Sequence, residues 1–147
     1  MYRPFYNVKR DRVIYIFLSK EKKTYFIDYC FLGSERETFR HHFKQRRFFS
    51  KPFMQQMEGV RPCMFALEKL YDTEEIAVRH KLAWNKIFME NGYKSLNGEA
   101  IDNYSTEMYT KTKLIYNQLC ENDVSEIISC ENCIVKQYRN TLCEQGK

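Results

Sequence analysis

The first half of the chain alternates short apolar runs with polar breaks, and this pattern predicts two neighbouring strands. Residues 12–19, RVIYIFLS, are mostly β-branched or aromatic, and residues 24–32, TYFIDYCFL, have the same character. Both runs have the length of a single strand. The KEKK segment between them is too polar to bury and predicts a turn. We therefore expect the two strands to pair antiparallel.

A helix is predicted directly after the second strand. Ser34 stands where an N-cap is expected, and Glu37, three residues later, completes a capping box. Residues 35–49, ERETFRHHFKQRRFF, place Phe39 and Phe43 one turn apart on a stripe that is expected to be buried.

A short helix, a third strand and a longer helix are predicted further along. Residues 53–58, FMQQME, favour the short helix, and residues 61–70, RPCMFALEKL, favour the strand. Thr73 is a suitable N-cap for a helix that runs to about Asn91, and Gly92 is a natural C′ residue to end it.

The order β-β-α-β-α, followed by helical segments, predicts the fold class. It favours an α+β fold in which helices flank a small, three-stranded, mostly antiparallel sheet. The composition shifts shortly after residue 100. We therefore expect one domain over residues 1–100 and a helical, cysteine-containing C-terminal extension over residues 101–147.

Charge is distributed unevenly along the chain and suggests a class of partner. Residues 1–61 hold 14 Lys or Arg and 6 Asp or Glu, whereas residues 62–147 hold 10 and 13, which gives +8 and −3. A basic half favours a polyanion such as DNA or RNA, although a solvated basic face would show the same charge.

The composition also indicates a cellular location. No apolar run has the length of a membrane span, and the start MYRPFYNVKRDR does not have the pattern of a signal peptide. We therefore expect a cytoplasmic protein with no membrane association.

Five segments, in a characteristic order and at characteristic spacing, carry a family resemblance. They are VIY at 13–15, YFI at 25–27, the helix with Phe39 and His42, FALEKL at 65–70, and the block around Trp84 that ends in GYKSLN at 92–97. Together they resemble the GIY-YIG nuclease superfamily over residues 12–97. Val13 and Ile27 stand where the signatures have glycine.

The resemblance implies hydrolysis of a nucleic-acid phosphodiester. It assigns the site to two tyrosines, here Tyr15 and Tyr25, an arginine on the first helix, a glutamate on the later helix and an asparagine, here Asn97. In the family the glutamate holds one divalent cation. A cation and a guanidinium there stabilise the charge that gathers on the phosphoryl oxygens, and a tyrosine can position or deprotonate the attacking water.

One departure concerns the metal. Alignment on Trp84 puts Lys81 at the glutamate position. A protonated lysine repels a cation, which argues against a magnesium or manganese site of the family type. Either Lys81 replaces the charge of the metal in a weak, metal-independent reaction, or the activity is lost and the chain is a pseudoenzyme.

The arginine position has two solutions. Counting from Tyr25 gives Arg36 with a one-residue insertion, and Arg40 shares its helical face by i, i+4 spacing. Anchoring on Phe39 and His42 gives Thr38 instead. The catalytic candidates are therefore Tyr15, Tyr25, Arg36, Arg40, His42, Lys81 and Asn97.

Residues 44–53, KQRRFFSKPF, combine cations with aromatic rings. Cations follow phosphates, and exposed aromatic rings stack on bases. The candidate nucleic-acid-binding residues are Lys44, Arg46, Arg47 and Lys51. In the alternative interpretation the phenylalanines belong to the core and the charges are simply solvated.

The six cysteines suggest a structural metal. Cys130 and Cys133 have the spacing of a metal knuckle, and Cys120 and Cys143 flank them symmetrically. Four thiolates would close a tetrahedral zinc site, whereas buried helical cysteines are often free thiols. Cys30 and Cys63 fall in predicted strands and are expected in the core.

Two functional hypotheses follow from the sequence. The first is a nucleic-acid-binding protein of GIY-YIG nuclease fold, either a weak endonuclease or an inactive descendant of one. The second is a catalytically dead domain that binds another protein, in the manner of a phage-type inhibitor or adaptor.

Overall fold

The computed structural model describes residues 8–44, 48–97, 106–119 and 133–134. The elements follow in the order β1 (Arg10–Ser19), β2 (Thr24–Phe31), α1 (Glu35–Phe43), a 3-10 turn (Phe48–Ser50), α2 (Lys51–Gln56), β3 (Cys63–Asp72), α3 (Glu74–Glu90), β4 (Lys94–Ser95) and α4 (Thr106–Leu119). None of these described helices combines the length and apolar character needed to cross a membrane.

The α+β class is confirmed, and within the described residues the sheet has four strands in the order β3-β1-β2-β4. β1 pairs antiparallel with β2 and β3, while β2 pairs parallel with β4. The predicted sheet lacked β4, whose two residues are too short to show an alternating pattern. Long-range bonds define this strand: Lys94 N donates to the Lys23 carbonyl over 2.9 Å, and Leu96 N donates to the Tyr25 carbonyl over 2.7 Å.

β1 lies in the middle of the sheet, and both of its faces are covered. Residues 13–18 are all at most 1% exposed. This explains why the strand reads as a continuous apolar run rather than an alternating one. Facing β1, β3 carries one extra residue, Leu67, because Ile14 pairs with Glu68 and Tyr15 pairs with Ala66.

Helices α1 and α2 cover one face of the sheet, and α3 covers the other. Phe17 of β1 contacts Phe39 of α1 and Phe53 of α2, with ring centroids 5.6 and 6.3 Å apart. On the other side Tyr25 of β2 contacts Phe88 of α3 at 5.5 Å. The sheet therefore separates two sets of side chains.

Helix α1 starts where the sequence predicts, but the predicted capping box does not form. The Ser34 side chain makes no cap hydrogen bond, and its hydroxyl instead donates to the Phe31 carbonyl over 2.8 Å. The helix also ends at Phe43, before the predicted end at residue 49. Ser50 then precedes α2 as its N-cap.

Helix α3 follows its prediction closely. The Thr73 hydroxyl accepts a hydrogen bond from Ile76 N over 3.3 Å, and Gly92 after the helix has a φ of +87° that favours glycine. Helix α4 packs against α3, where the Tyr109 hydroxyl donates to Glu90 Oε1 over 2.5 Å. The described residues of α4 thus pack on α3.

Candidate functional site

A pocket of about 230 Å³ opens where β1 begins and β2 ends. The strands contribute five of its lining residues, Arg12, Tyr15, Tyr29, Cys30 and Phe31. The first turns of α1 and α3 contribute Ser34, Thr38 and Glu74. Two strands and the N-terminal regions of two helices therefore contribute a group of mainly polar and aromatic residues.

Tyr15 is held in this pocket by a buried chain of hydrogen bonds. Its hydroxyl lies 2.6 Å from His42 Nε2, and His42 Nδ1 lies 2.6 Å from Ser50 Oγ. All three residues are at most 2% exposed. With the proton of His42 on Nδ1, Tyr15 donates to Nε2 and Nδ1 donates to Ser50. The structure thus brings together the predicted Tyr15 and His42 and adds Ser50.

Two other residues that line the pocket are a glutamate and an arginine. Glu74 is 6% exposed, and one of its oxygens accepts a 2.6 Å hydrogen bond from the Tyr29 hydroxyl. Arg12 is 2% exposed, and its Nε donates to the Asp72 carbonyl over 3.0 Å. The two side chains have opposite charges, so together they add no net charge to the pocket.

Arg12, Tyr29 and Glu74 line the pocket but are not among the site residues predicted from the sequence. A signal was present for Glu74, which precedes Lys81 by two helical turns and so shares its face of α3. No comparable signal marked Arg12 or Tyr29, whose positions depend on how the strands end.

The structure does not bring Tyr15 and Tyr25 into one pocket. Tyr15 pairs with Asp28 and Leu18 pairs with Tyr25, so the two tyrosines project from opposite faces of the sheet. The Tyr25 hydroxyl donates to Asn85, both to the backbone carbonyl over 3.0 Å and to Oδ1. Burial raises the pKa of the Tyr25 phenol above its usual range. Tyr25 therefore serves as a buried donor in the α3 layer.

Lys81 lies beside the pocket rather than within its lining. Its ammonium is 3.6 Å from Asp28 Oδ1 and 5.7 Å from the centre of the Tyr29 ring. The Lys81 side chain is 6% exposed, so the Asp28 carboxylate balances a buried charge. An ammonium thus stands where the resemblance expects a metal-binding carboxylate.

The two solutions for the family arginine lie on different sides of α1. Thr38 is 7% exposed and lines the pocket. His42 lies on the same buried stripe of the helix. Arg36 and Arg40 lie on the exposed side of the helix. Of the residues considered for the arginine position, only Thr38 therefore lines the pocket.

The Asn97 side chain forms hydrogen bonds with the edge of β2 in the way that the backbone of a neighbouring strand would. Its Oδ1 accepts a 3.1 Å hydrogen bond from Ile27 N, and its Nδ2 donates to the Ile27 carbonyl over 2.8 Å. Ile27 is fully buried, so these backbone groups need a protein partner. Asn97 thereby supports the strand that ends in the pocket.

The basic segment lies partly outside the described residues. Lys44 and Lys51 are exposed, whereas Arg46 and Arg47 fall outside the described ranges. Phe53 is fully buried and belongs to the core, while Phe49 is 44% exposed. The phenylalanines therefore divide between the core and the surface, and nucleic-acid binding by the cations stays a prediction.

Of the four cysteines predicted to hold zinc, only Cys133 is described, and Cys120, Cys130 and Cys143 lie outside the described residues. Cys133 is 5% exposed, and its sulfur accepts a 3.3 Å hydrogen bond from Met64 N at the edge of β3. Within the described ranges, no group of three or more His, Cys, Asp or Glu is arranged to hold a metal ion.

The two strand cysteines have different surroundings. Cys63 is fully buried, as expected for the core. Cys30 is half-buried in the pocket wall, and desolvation by burial raises the pKa of its thiol to about 11. Cys30 is therefore a neutral thiol near neutral pH, and a poor nucleophile.

No protein-family model, curated protein or solved structure matches this chain.

Proposed function

We propose that this protein binds nucleic acid through a basic surface, the α1–α2 face, formed by Arg36, Arg40, Lys44 and Lys51. The observation that carries the proposal is that all four side chains are exposed on the helices covering one side of the sheet. Cations gathered on one surface attract the phosphates of a polyanion. The resemblance of residues 12–97 to GIY-YIG nucleases supports nucleic acid over other polyanions.

The turn between β1 and β2 extends the α1–α2 face. Lys20, Lys22 and Lys23 are exposed, and Lys22 Nζ donates to the Gln56 carbonyl at the end of α2 over 2.9 Å. This bond places the turn next to α2. The extended basic surface offers several contacts to a backbone of regularly spaced phosphates.

We propose binding, rather than hydrolysis of the family type, as the primary activity. The Tyr25 hydroxyl is engaged by Asn85 in the α3 layer, and the Lys81 ammonium neighbours Asp28. The family mechanism needs a tyrosine hydroxyl in the shared site and a metal-binding carboxylate, and neither Tyr25 nor Lys81 supplies its part. These two observations also favour the second candidate, an inactive domain that binds another protein.

Fluorescence anisotropy with labelled single-stranded DNA, duplex DNA and RNA tests the proposal. The variant Arg36→Ala/Arg40→Ala/Lys44→Ala removes three cations from the α1–α2 face. For single strands, we expect the slope of log K against log salt to fall by about 2, since each phosphate contact contributes roughly 0.7. Affinity for all sequences should weaken to a similar extent.

A matched control removes the same charge from the other side of the sheet. Arg79, Lys86 and Lys111 lie on α3 and α4. Their replacement by alanine gives a variant with the same net charge as the Arg36/Arg40/Lys44 variant. Equal salt slopes for the two triple variants would contradict the α1–α2 face as the binding surface. Absence of salt-sensitive binding by the wild type, together with a stoichiometric protein partner in a pull-down, would favour the protein-binding alternative.

A further inference from the structure

Strand β3 lies at one edge of the sheet, and its first half pairs with an added segment of the chain. Cys133 pairs antiparallel with Phe65, and Ile134 N donates to the Met64 carbonyl over 2.8 Å. Met64 N in turn donates to the Cys133 sulfur over 3.3 Å. The added segment thus uses both outward backbone groups of Met64, so the shape of this edge permits an antiparallel partner.

The second half of β3 also presents outward backbone groups. Tyr71 pairs with Asp11 of β1, but the Asp11 carbonyl accepts a 2.9 Å hydrogen bond from Leu32 N on the β2 side. Residues of an antiparallel strand bond alternately to one side and to the other, so the N–H and C=O groups of Tyr71 and Lys69 point away from β1. Among the residues that the structure describes, none forms a hydrogen bond with these four groups.

The side chains of residues 69–72, which we call the open edge, add to its suitability for a partner. Tyr71 is 64% exposed, the largest value among the exposed large hydrophobic residues of the described chain. Lys69 is exposed, and Leu70 is half-buried. Tyrosine is enriched where proteins bind one another, because its rigid ring supplies a large contact area. A strand added here would cover an exposed ring and bond to four backbone groups.

A second copy of this chain fits the open edge poorly. One antiparallel register of two copies sets Lys69 opposite Tyr71, but it also sets Glu68 opposite Asp72 at both ends of the pair. A register centred on Lys69 sets two lysines opposite each other, and one centred on Tyr71 extends past the end of β3. Like charges directly opposite one another destabilise a sheet. The charges therefore favour a different protein as the partner.

We propose that the open edge binds an extended segment of another protein, which adds an antiparallel strand to the sheet. The edge defines the chemistry of that segment: an acidic residue faces Lys69, and a basic residue faces Asp72. Leu70 and Tyr71 face apolar residues. This site goes beyond the proposed nucleic-acid binding, because β3 contributes no residue to the α1–α2 face. It gives the protein-binding alternative a specific surface.

Short labelled peptides test the site by fluorescence anisotropy with the wild-type protein. In a peptide with the central sequence KVVE, paired antiparallel, the lysine faces Asp72 and the glutamate faces Lys69. The control peptide, with the centre KPVE, has the same charges, but its proline lacks the N–H that would donate to the Tyr71 carbonyl. We expect KVVE to bind about tenfold more tightly than KPVE. In NMR spectra, binding of KVVE should slow the exchange of the Lys69 and Tyr71 amide protons with solvent.

The variant Lys69→Glu tests the charge that the edge contributes. The wild type should prefer KVVE to a peptide with the centre KVVK, and the variant should show the opposite preference. Lys94→Glu is the matched control, since Lys94 is an exposed lysine on β4 at the other edge of the sheet, and it should keep the wild-type preference. A reversed preference requires a folded variant, so loss of structure cannot produce it.

The wild-type comparison alone is decisive, because it requires no variant to fold. Equal affinities for KVVE and KPVE, or no binding of either, would overturn the proposal. A preference for KVVE that persists in Lys69→Glu would overturn the charge assigned to the edge. If the Lys69 and Tyr71 amides were protected in the protein alone and lost this protection on dilution, a second copy would occupy the edge and the proposal would be wrong. The salt dependence of nucleic-acid binding is measured separately, so the proposed function stands or fails independently.

Discussion

Replacement of Asn97 by alanine should destabilise the fold, because it removes two hydrogen bonds to the backbone of one residue, Ile27. The variant leaves both Ile27 N and the Ile27 carbonyl without the amide that now contacts them at 3.1 and 2.8 Å. Each lost bond contributes about 1 kcal/mol, and an unsatisfied buried group costs roughly 1–3 kcal/mol. Asn97 itself is half-buried, so water reaches part of the gap. We therefore expect a loss of about 2 kcal/mol in the free energy of unfolding.

Urea unfolding followed by the fluorescence of Trp84 measures this loss. Trp84 is the single tryptophan and is fully buried, so its emission reports the α3 layer directly. A 2 kcal/mol loss corresponds to a melting temperature lower by about 4–8 °C for a chain of this size. Gln55→Ala, which removes an exposed amide from α2, is the control and should change stability by less than ~0.5 kcal/mol. If Asn97→Ala matched this control, the strand-like role of the amide would be wrong.

Two further predictions concern groups that the resemblance treats as catalytic. Burial raises the pKa of Tyr25, so the phenol loses its proton at a lower pH in the unfolded state than in the folded state. The stability that the buried, protonated Tyr25 contributes is therefore complete below pH ~10 and is lost as pH rises above that value. Urea titrations from pH 7 to 11 should show a smaller alkaline loss in Tyr25→Phe than in the wild type, and equal losses would disprove the assignment. Lys81→Glu, which places a carboxylate beside Asp28, should lower stability by about 2 kcal/mol or more and create no magnesium-dependent cleavage of plasmid DNA. Arg79→Glu, on the exposed side of α3, is its control, and a neutral effect of Lys81→Glu would contradict the ion pair.

The elements that the sequence predicts well are those that local chemistry determines. The Thr73 hydroxyl caps α3 and Gly92 follows its end with a positive φ, and both features depend only on neighbouring residues. The same local reasoning fails at Ser34, whose hydroxyl bonds to Phe31 at the end of the preceding strand. It also fails for β4, which exists because Lys94 reaches the backbone of Lys23.

The content of the pocket could not be predicted because it depends on where several elements end relative to one another. Glu74 is a first-turn residue of α3, and the sequence pattern assigns it only to the helix start and to the helical face that also carries Lys81. Its role in the pocket follows from the 2.6 Å contact with Tyr29, a residue 45 positions earlier. The contact between Tyr29 and Glu74 has no signature in a single sequence.

The separation of the two tyrosines, in contrast, follows from the hairpin itself. The turn KEKK leaves Ser19 paired with Thr24, and this register sets every later pair of the hairpin. Paired residues share a face and faces alternate along each strand, so Tyr15 faces the same side as the even-numbered residues of β2. Tyr25 is odd-numbered and must face α3. The resemblance places Tyr15 and Tyr25 in one site, whereas the register of the hairpin puts the two side chains on opposite faces of the sheet.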